Sequence, residues 1–136
     1  MSEWVKNIVV EKHEQTVLHA LGIRVEKVDA DETVVSMAVD DRHKQHVGLV
    51  HGGIYVLLAE TVMSLAAACA LKDPRDRVVA IEINANHIKS ATSGTLWARS
   101  SCLHAGHTTL VYEAQVSGDA GLISIARSTM MVIKPK

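Results

Sequence analysis

The chain has 136 residues, enough for one domain with its own core and too few for two, so 1–136 is read as a single domain. Hydrophobic residues at 48% and charged residues at 21% exclude intrinsic disorder. Lys+Arg of 14 against Asp+Glu of 15 leaves a formal net charge of −1, which excludes a global draw to nucleic acid or anionic membrane but leaves local phosphate-binding patches open. The N-terminal "MSEWVKNIVVEKHEQ" carries acidic residues and no apolar core long enough for a signal peptide, so a cytoplasmic protein is expected.

"HEQTVLHALG" predicts a short amphipathic helix ending at Gly22, with Val17, Leu18 and Leu21 on one side. "IRVEKVDADETVVSMAVD" predicts two strands joined near Asp29–Glu32, with alternation clear in Val35, Met37 and Val39. The polar loop "DRHKQHVGLV" leads into a long apolar helix, which "KDPRDR" ends because Pro74 cannot continue it. Four strand-like runs follow: 78–89, 95–104, 108–117 and 122–133. Their turns are marked by Ser93-Gly94, Ala105-Gly106 and "SGDAG". The last three should form an antiparallel meander. The fold class is therefore α+β: a curved antiparallel sheet of about six strands wrapped around a long central helix. Trp97, Leu103 and Val111 fall on the outer sheet face, a surplus expected to be covered by another subunit. Cys69 and Cys102 read as small buried hydrophobes, with no disulfide or metal-knuckle spacing.

The segment from Gly52 to Leu71 is long enough to span a membrane, at about 20 residues. Its paired glycines, its alanines and a central Glu60 favour a buried core helix, since a carboxylate at mid-bilayer costs about 3 kcal/mol. Ser64 stands four residues from Glu60 and so shares its face. A partly buried glutamate is often no more than an edge residue that reaches solvent or a salt bridge, and that reading holds about even weight for Glu60 taken alone. In the run 78–89, Val79, Ile81, Ile83, Ala85 and His87 alternate as the inward face, so His87 points toward the helix. Gly52 and Gly53 open the helix, where free N–H groups can bind an anion or a developing oxyanion. Backbone donors, a carboxylate and polar helpers suit acyl transfer to water. There is no G-x-S-x-G elbow, P-loop or G-x-G-x-x-G. The eight histidines include His43-x-x-His46 and His104-x-x-His107, but no helical H-E-x-x-H frame, and no metal or cofactor is expected.

The stretches "HKQHVGLVHGGIYVLLAETVMSLAA" and "EINANHIKS" resemble the hotdog-fold acyl-CoA thioesterases. The likeness is to the phenylacetate-degradation and 4-hydroxybenzoyl-CoA (Arthrobacter-type) branch, near the enterobactin-pathway proofreading thioesterases. It implies hydrolysis of an acyl-CoA or acyl-carrier-protein thioester, with aryl or hydroxyaryl groups favoured. By the resemblance, Gln45 positions the thioester or its sulfur, His51 holds the thioester region, and the Gly52 N–H polarises the carbonyl. Glu60 is the nucleophile or general base, Ser64 orients water or the acyl group, and His87 assists at the acyl end. Lys89 and His107 match positions that are often arginine in close relatives and would face the CoA phosphates. The resemblance also implies a site built across a homodimer, with Gln45, His51 and His87 from one subunit and Glu60 and Ser64 from the other, the dimer doubling to a homotetramer. A non-catalytic acyl-CoA-binding module stays open beside the enzyme. A hotdog dehydratase fits less well, because its acid lies near the start of the central helix.

Overall fold

The structure is a computed structural model that describes Val5 and residues 13–136. A single 3-10 turn, His13–Gln15, precedes the short helix α1 (Val17–Ala20). The strands β1 (Ile23–Lys27) and β2 (Val34–Ala38) follow, then a second 3-10 turn, Asp41–His43, and the long helix α2 (Gly52–Ala70). Four more strands complete the fold: β3 (Arg77–His87), β4 (Thr95–Ala105), β5 (Thr109–Gly118) and β6 (Gly121–Ile133). All six pair antiparallel in the order β1-β2-β4-β5-β6-β3. The expected meander is β4-β5-β6, and β3 is added beyond β6 as an edge strand.

Helix α2 packs on β3, β4, β5 and β6. Its buried face is Tyr55, Leu58, Ala59, Val62, Met63 and Ala66–Ala68. The alanines let the sheet approach the helix axis, and the larger Leu58 and Met63 fill the space between layers with none of their surface exposed. The helix ends at Leu71, whose backbone is already extended. Asp73 then folds the chain back: its carboxylate accepts from the Arg75 backbone and guanidinium, and that pairing holds its pKa near about 2.

The structure corrects the expected inward face of β3. The register slips between Ala80 and Glu82, a β-bulge at Ile81 that changes which side chains face the helix. Val78 and Ala80 point inward before it, and Ile83, Ala85 and His87 after it, whereas Val79 and Ile81 stand 47% and 53% exposed. His87 keeps its expected side. The cysteines also differ from expectation: Cys69 is half-buried, and Cys102, beside a bulge at Leu103, is exposed. Trp97 and Leu103 lie exposed on the outer face as expected.

Tyr112 joins the two halves of the sheet. Fully buried on β5, it donates its hydroxyl to the Ala30 carbonyl in the β1–β2 connection at 2.7 Å. Burial pushes its pKa far up, so it stays a donor throughout the physiological range. Tyr112→Phe should lower the unfolding free energy by about 1–2 kcal/mol in urea denaturation, because the Ala30 carbonyl loses this donor.

Candidate active site

The loop before α2 is held by its own backbone. Lys44 bridges to Val50, the Gln45 N–H donates to the Leu49 carbonyl at 2.8 Å, and Gly48 turns the chain at φ +89°. The Gln45 side chain takes part through its oxygen, which accepts from the Val47 N–H at 2.7 Å and the Leu49 N–H at 3.4 Å. Its amide nitrogen is thereby left to donate elsewhere.

His51 is the N-cap of α2. Its Nδ1 accepts from the Gly53 N–H at 2.8 Å, so the neutral ring carries its proton on Nε2. The Gly52 N–H, the first of the helix, meets no acceptor among the described residues. Beside it lies the His87 ring: a Cβ built on Gly52 would sit 3.0 Å from both Cδ2 and Nε2 of that ring. Glycine is therefore required for close approach here.

His87 is oriented by its neighbours. Ser124, directly across on β6, donates its hydroxyl to the Asn86 carbonyl at 3.2 Å, so the 2.8 Å contact with His87 Nδ1 must run from the ring to the serine oxygen. A neutral His87 then presents the Nε2 lone pair beside Gly52. Tyr55 packs edge-on against the ring at 5.2 Å and takes the Ala91 N–H on its hydroxyl at 3.1 Å. Ser124 was not anticipated from sequence, although the small polar alternation Ser124 and Ser128 on the inner face of β6 marks it.

Glu60 occupies a different place. The exposed side of α2 forms an open groove of about 460 Å³ lined by Gly53, Val56, Leu57, Glu60, Thr61 and Ser64, with Val17 of α1 closing it. The Thr61 hydroxyl is turned back to the Leu57 carbonyl at 2.7 Å and so offers the groove its methyl. Glu60 is half-buried, and among the described residues no hydrogen bond or ion pair holds its carboxylate. The salt-bridge half of the plain structural reading finds no partner here, whereas Glu60 does reach the open groove at the helix edge. Ser64 stands one turn further along the same wall.

One chain thus brings Gly52, His51 and His87 together, and separately Glu60 and Ser64. Eight residues of helix separate Gly52 from Glu60, about 12 Å, too far for both to reach one carbonyl carbon.

Lys89 and His107 do not converge within a chain either. Lys89 donates to the Ala120 carbonyl at 2.7 Å, at the β5–β6 turn, whereas His107 is at the β4–β5 turn, roughly 30 Å away along the strands. His107 lines a small cavity of about 130 Å³ with Lys72, Asp76 and Lys134, a cluster that sequence reading missed because its members come from three separate segments. Asp76 is only 4% exposed and pairs with Lys134 at 2.5 Å. No three His, Cys, Asp or Glu side chains converge as metal ligands among the described residues.

A six-stranded antiparallel sheet around one central helix, with free donors at the helix start and a carboxylate on its open side, defines the hotdog architecture. Residues 47–123 match the Thioesterase superfamily, and the chain belongs to that family. The PA1618 protein of Pseudomonas aeruginosa is 42% identical over 114 residues, 83% of this chain and 79% of that one. The crystal structure of a mutant of it, described as a thioesterase, matches with a TM-score of 0.86 at 35% identity, over 95% of this chain and 93% of that one. A 1,4-dihydroxy-2-naphthoyl-CoA hydrolase of Listeria monocytogenes is 34% identical over 117 residues, 85% of this chain and 94% of that one.

The close approach at Gly52 gives a direct test. Gly52→Ala should displace the His87 ring by a few tenths of an ångström, read as a shift of its imidazole resonances away from the Tyr55 ring current. Stability should change by less than about 1 kcal/mol, since a yield of a few tenths of an ångström leaves the contacts to Ser124 and Tyr55 in place.

Proposed function

We propose that the protein hydrolyses acyl-CoA thioesters, with aryl or hydroxyaryl acyl groups preferred, in a site completed by two copies of the chain. The observation that carries this reading is the Glu60 carboxylate, uncommitted among the described residues and set in an apolar groove of a thioesterase-superfamily chain. The aryl preference is supported by the naphthoyl-CoA hydrolases among its relatives, in Listeria monocytogenes and Escherichia coli, and the groove's aliphatic lining is compatible with it.

In this mechanism the thioester carbonyl oxygen accepts from the Gly52 N–H, at the positive end of α2, with the Gln45 amide nitrogen as second donor. The partner's Glu60 then either attacks the carbonyl carbon, giving a mixed anhydride that water hydrolyses to regenerate the glutamate, or takes a proton from water that attacks the carbon itself. The C–S bond breaks, the thiolate leaves as coenzyme A and is protonated, and the acyl group leaves as a carboxylate. Ser64 orients the water or the acyl group, and the Nε2 lone pair of His87 faces the same end of the pocket. An acylated carrier protein is the alternative thiol donor.

The assembly is supported by what one chain leaves uncovered. β3 is an edge of 11 residues with exposed Val79 and Ile81, and long unpaired edges are normally covered. A two-fold pairing of β3 with its copy sets the strands antiparallel. Lys89 then meets the partner's His107 at the same end of the dimer, where coenzyme A phosphates need positive charge. The outer-face Trp97 and Leu103 offer a further surface for a tetramer.

Glu60→Ala should lower kcat by about 10²–10⁴ in a thiol-release assay, and His87→Ala by less. Near-normal turnover by folded Glu60→Ala protein would remove Glu60 from the chemistry. Binding of acyl-CoA without release by the wild type would favour the sensing module. With Gly52→Ala as the control for the Cβ that both variants set against the His87 ring, Gly52→Pro removes the donor, since proline suits the first helical position and His51 before it is already extended at ψ 134°. It should cost about 10²–10³ in kcat with a smaller change in KM.

A further inference from the structure

Every wall of the Glu60 groove lies on α2 except one, Val17 on α1. That helix is a single turn with no fully buried residue: Val17 itself is 52% exposed, while Leu18 and its cap Leu21 pack partly buried against the core. Hydrogen bonds add to this at its C-terminal end. Arg42 donates to the Ala20 carbonyl and His43 to the Leu21 carbonyl, the latter at 2.8 Å. Gly22 turns the chain beneath Arg42 at φ +68°, a left-handed backbone that favours glycine.

His43 is the buried member of this clasp, with none of its surface exposed. Its Nδ1 accepts the Asp40 N–H at 3.0 Å, so its proton sits on Nε2 and is donated to Leu21. Its own carbonyl accepts the His51 N–H at 2.9 Å. One imidazole residue therefore ties the outer wall of the groove to the cap of the helix that bears the Gly52 donor. A β-branched side chain on a tethered turn is a stiff wall.

We infer that Val17 is a specificity-determining residue that limits the bulk of the acyl group, and that His43 is the positioning residue that holds it in place. The inference rests on the thioesterase reading and names the feature that selects among its substrates. It is tested by measuring kcat/KM for acetyl-CoA, hexanoyl-CoA and benzoyl-CoA with the wild type, Val17→Ala, Val17→Leu, His43→Gln and His43→Leu. Val17→Ala should raise the benzoyl-to-acetyl ratio about tenfold, and Val17→Leu should lower it by a similar factor, the scale on which one or two methyl groups discriminate. His43→Leu, which frees α1, should flatten the acyl profile, whereas His43→Gln, which retains a donor for Leu21, should restore most of it. The Val17 pair sits at a half-exposed position and carries the test whatever His43→Leu does to folding. Glu60-dependent release with an acyl profile unchanged in both Val17 variants overturns this inference alone. Absence of release by the wild type from all three thioesters overturns the thioesterase reading with it.

Discussion

The structure turns on a helix with more apolar surface than its own sheet can cover. Leu58, Val62 and Met63 are sealed against the strands, while Val56 and Leu57 on the other side face an open groove. An apolar helix face left open in water is unfavourable by about 25 cal/mol per Å², so the same residues that make a core on one side create a demand for an occupant on the other. In the proposed function, an acyl group and a second copy of the chain meet that demand together. Glu60 is tolerated there because it lies at the boundary, half-buried and uncommitted, rather than within the sealed face.

The start of that helix imposes the second constraint. Its first N–H groups must be answered, and His51 answers one of them with its ring while leaving Gly52 unclaimed. Everything around Gly52 serves close approach: no side chain on the glycine, His87 stacked beside it, Ser124 fixing which nitrogen of His87 is presented. The loop from Gln45 to Leu49 commits the glutamine's oxygen to its own backbone. The Gly52 donor thus stands at one end of the helix and the carboxylate about 12 Å away on the same rod, which is the reason the proposed site draws on two chains.

Much of this was legible in the sequence because it depends on local rules. Glycine and proline punctuation placed the strands within two residues of their ends, and the apolar run bounded by Gly52 and Pro74 defined the helix. Glu60 stood out because a carboxylate inside such a run demands an explanation. Hidden were features set by strand register and tertiary approach. The bulge at Ile81 moves Val79 and Ile81 off the inner face, and simple alternation cannot reveal an inserted residue. Ser124 acquires its role only when β6 pairs with β3, and Lys72, Asp76 and Lys134 meet His107 only when the helix end folds against two strand ends. The buried His43 looked like part of a polar loop because its partners, Leu21 and Asp40, are backbone groups that carry no side-chain signal.

The central claim is that the Gly52 donor and the Glu60 carboxylate of one site belong to different chains. Equal co-expression of Glu60→Ala and Gly52→Pro chains tests it most directly. Half of the randomly formed dimers are then mixed, and each mixed dimer has one intact site of two, so about one quarter of the wild-type rate should return. A mixture as inactive as either variant alone would contradict the account and put the whole site in one chain.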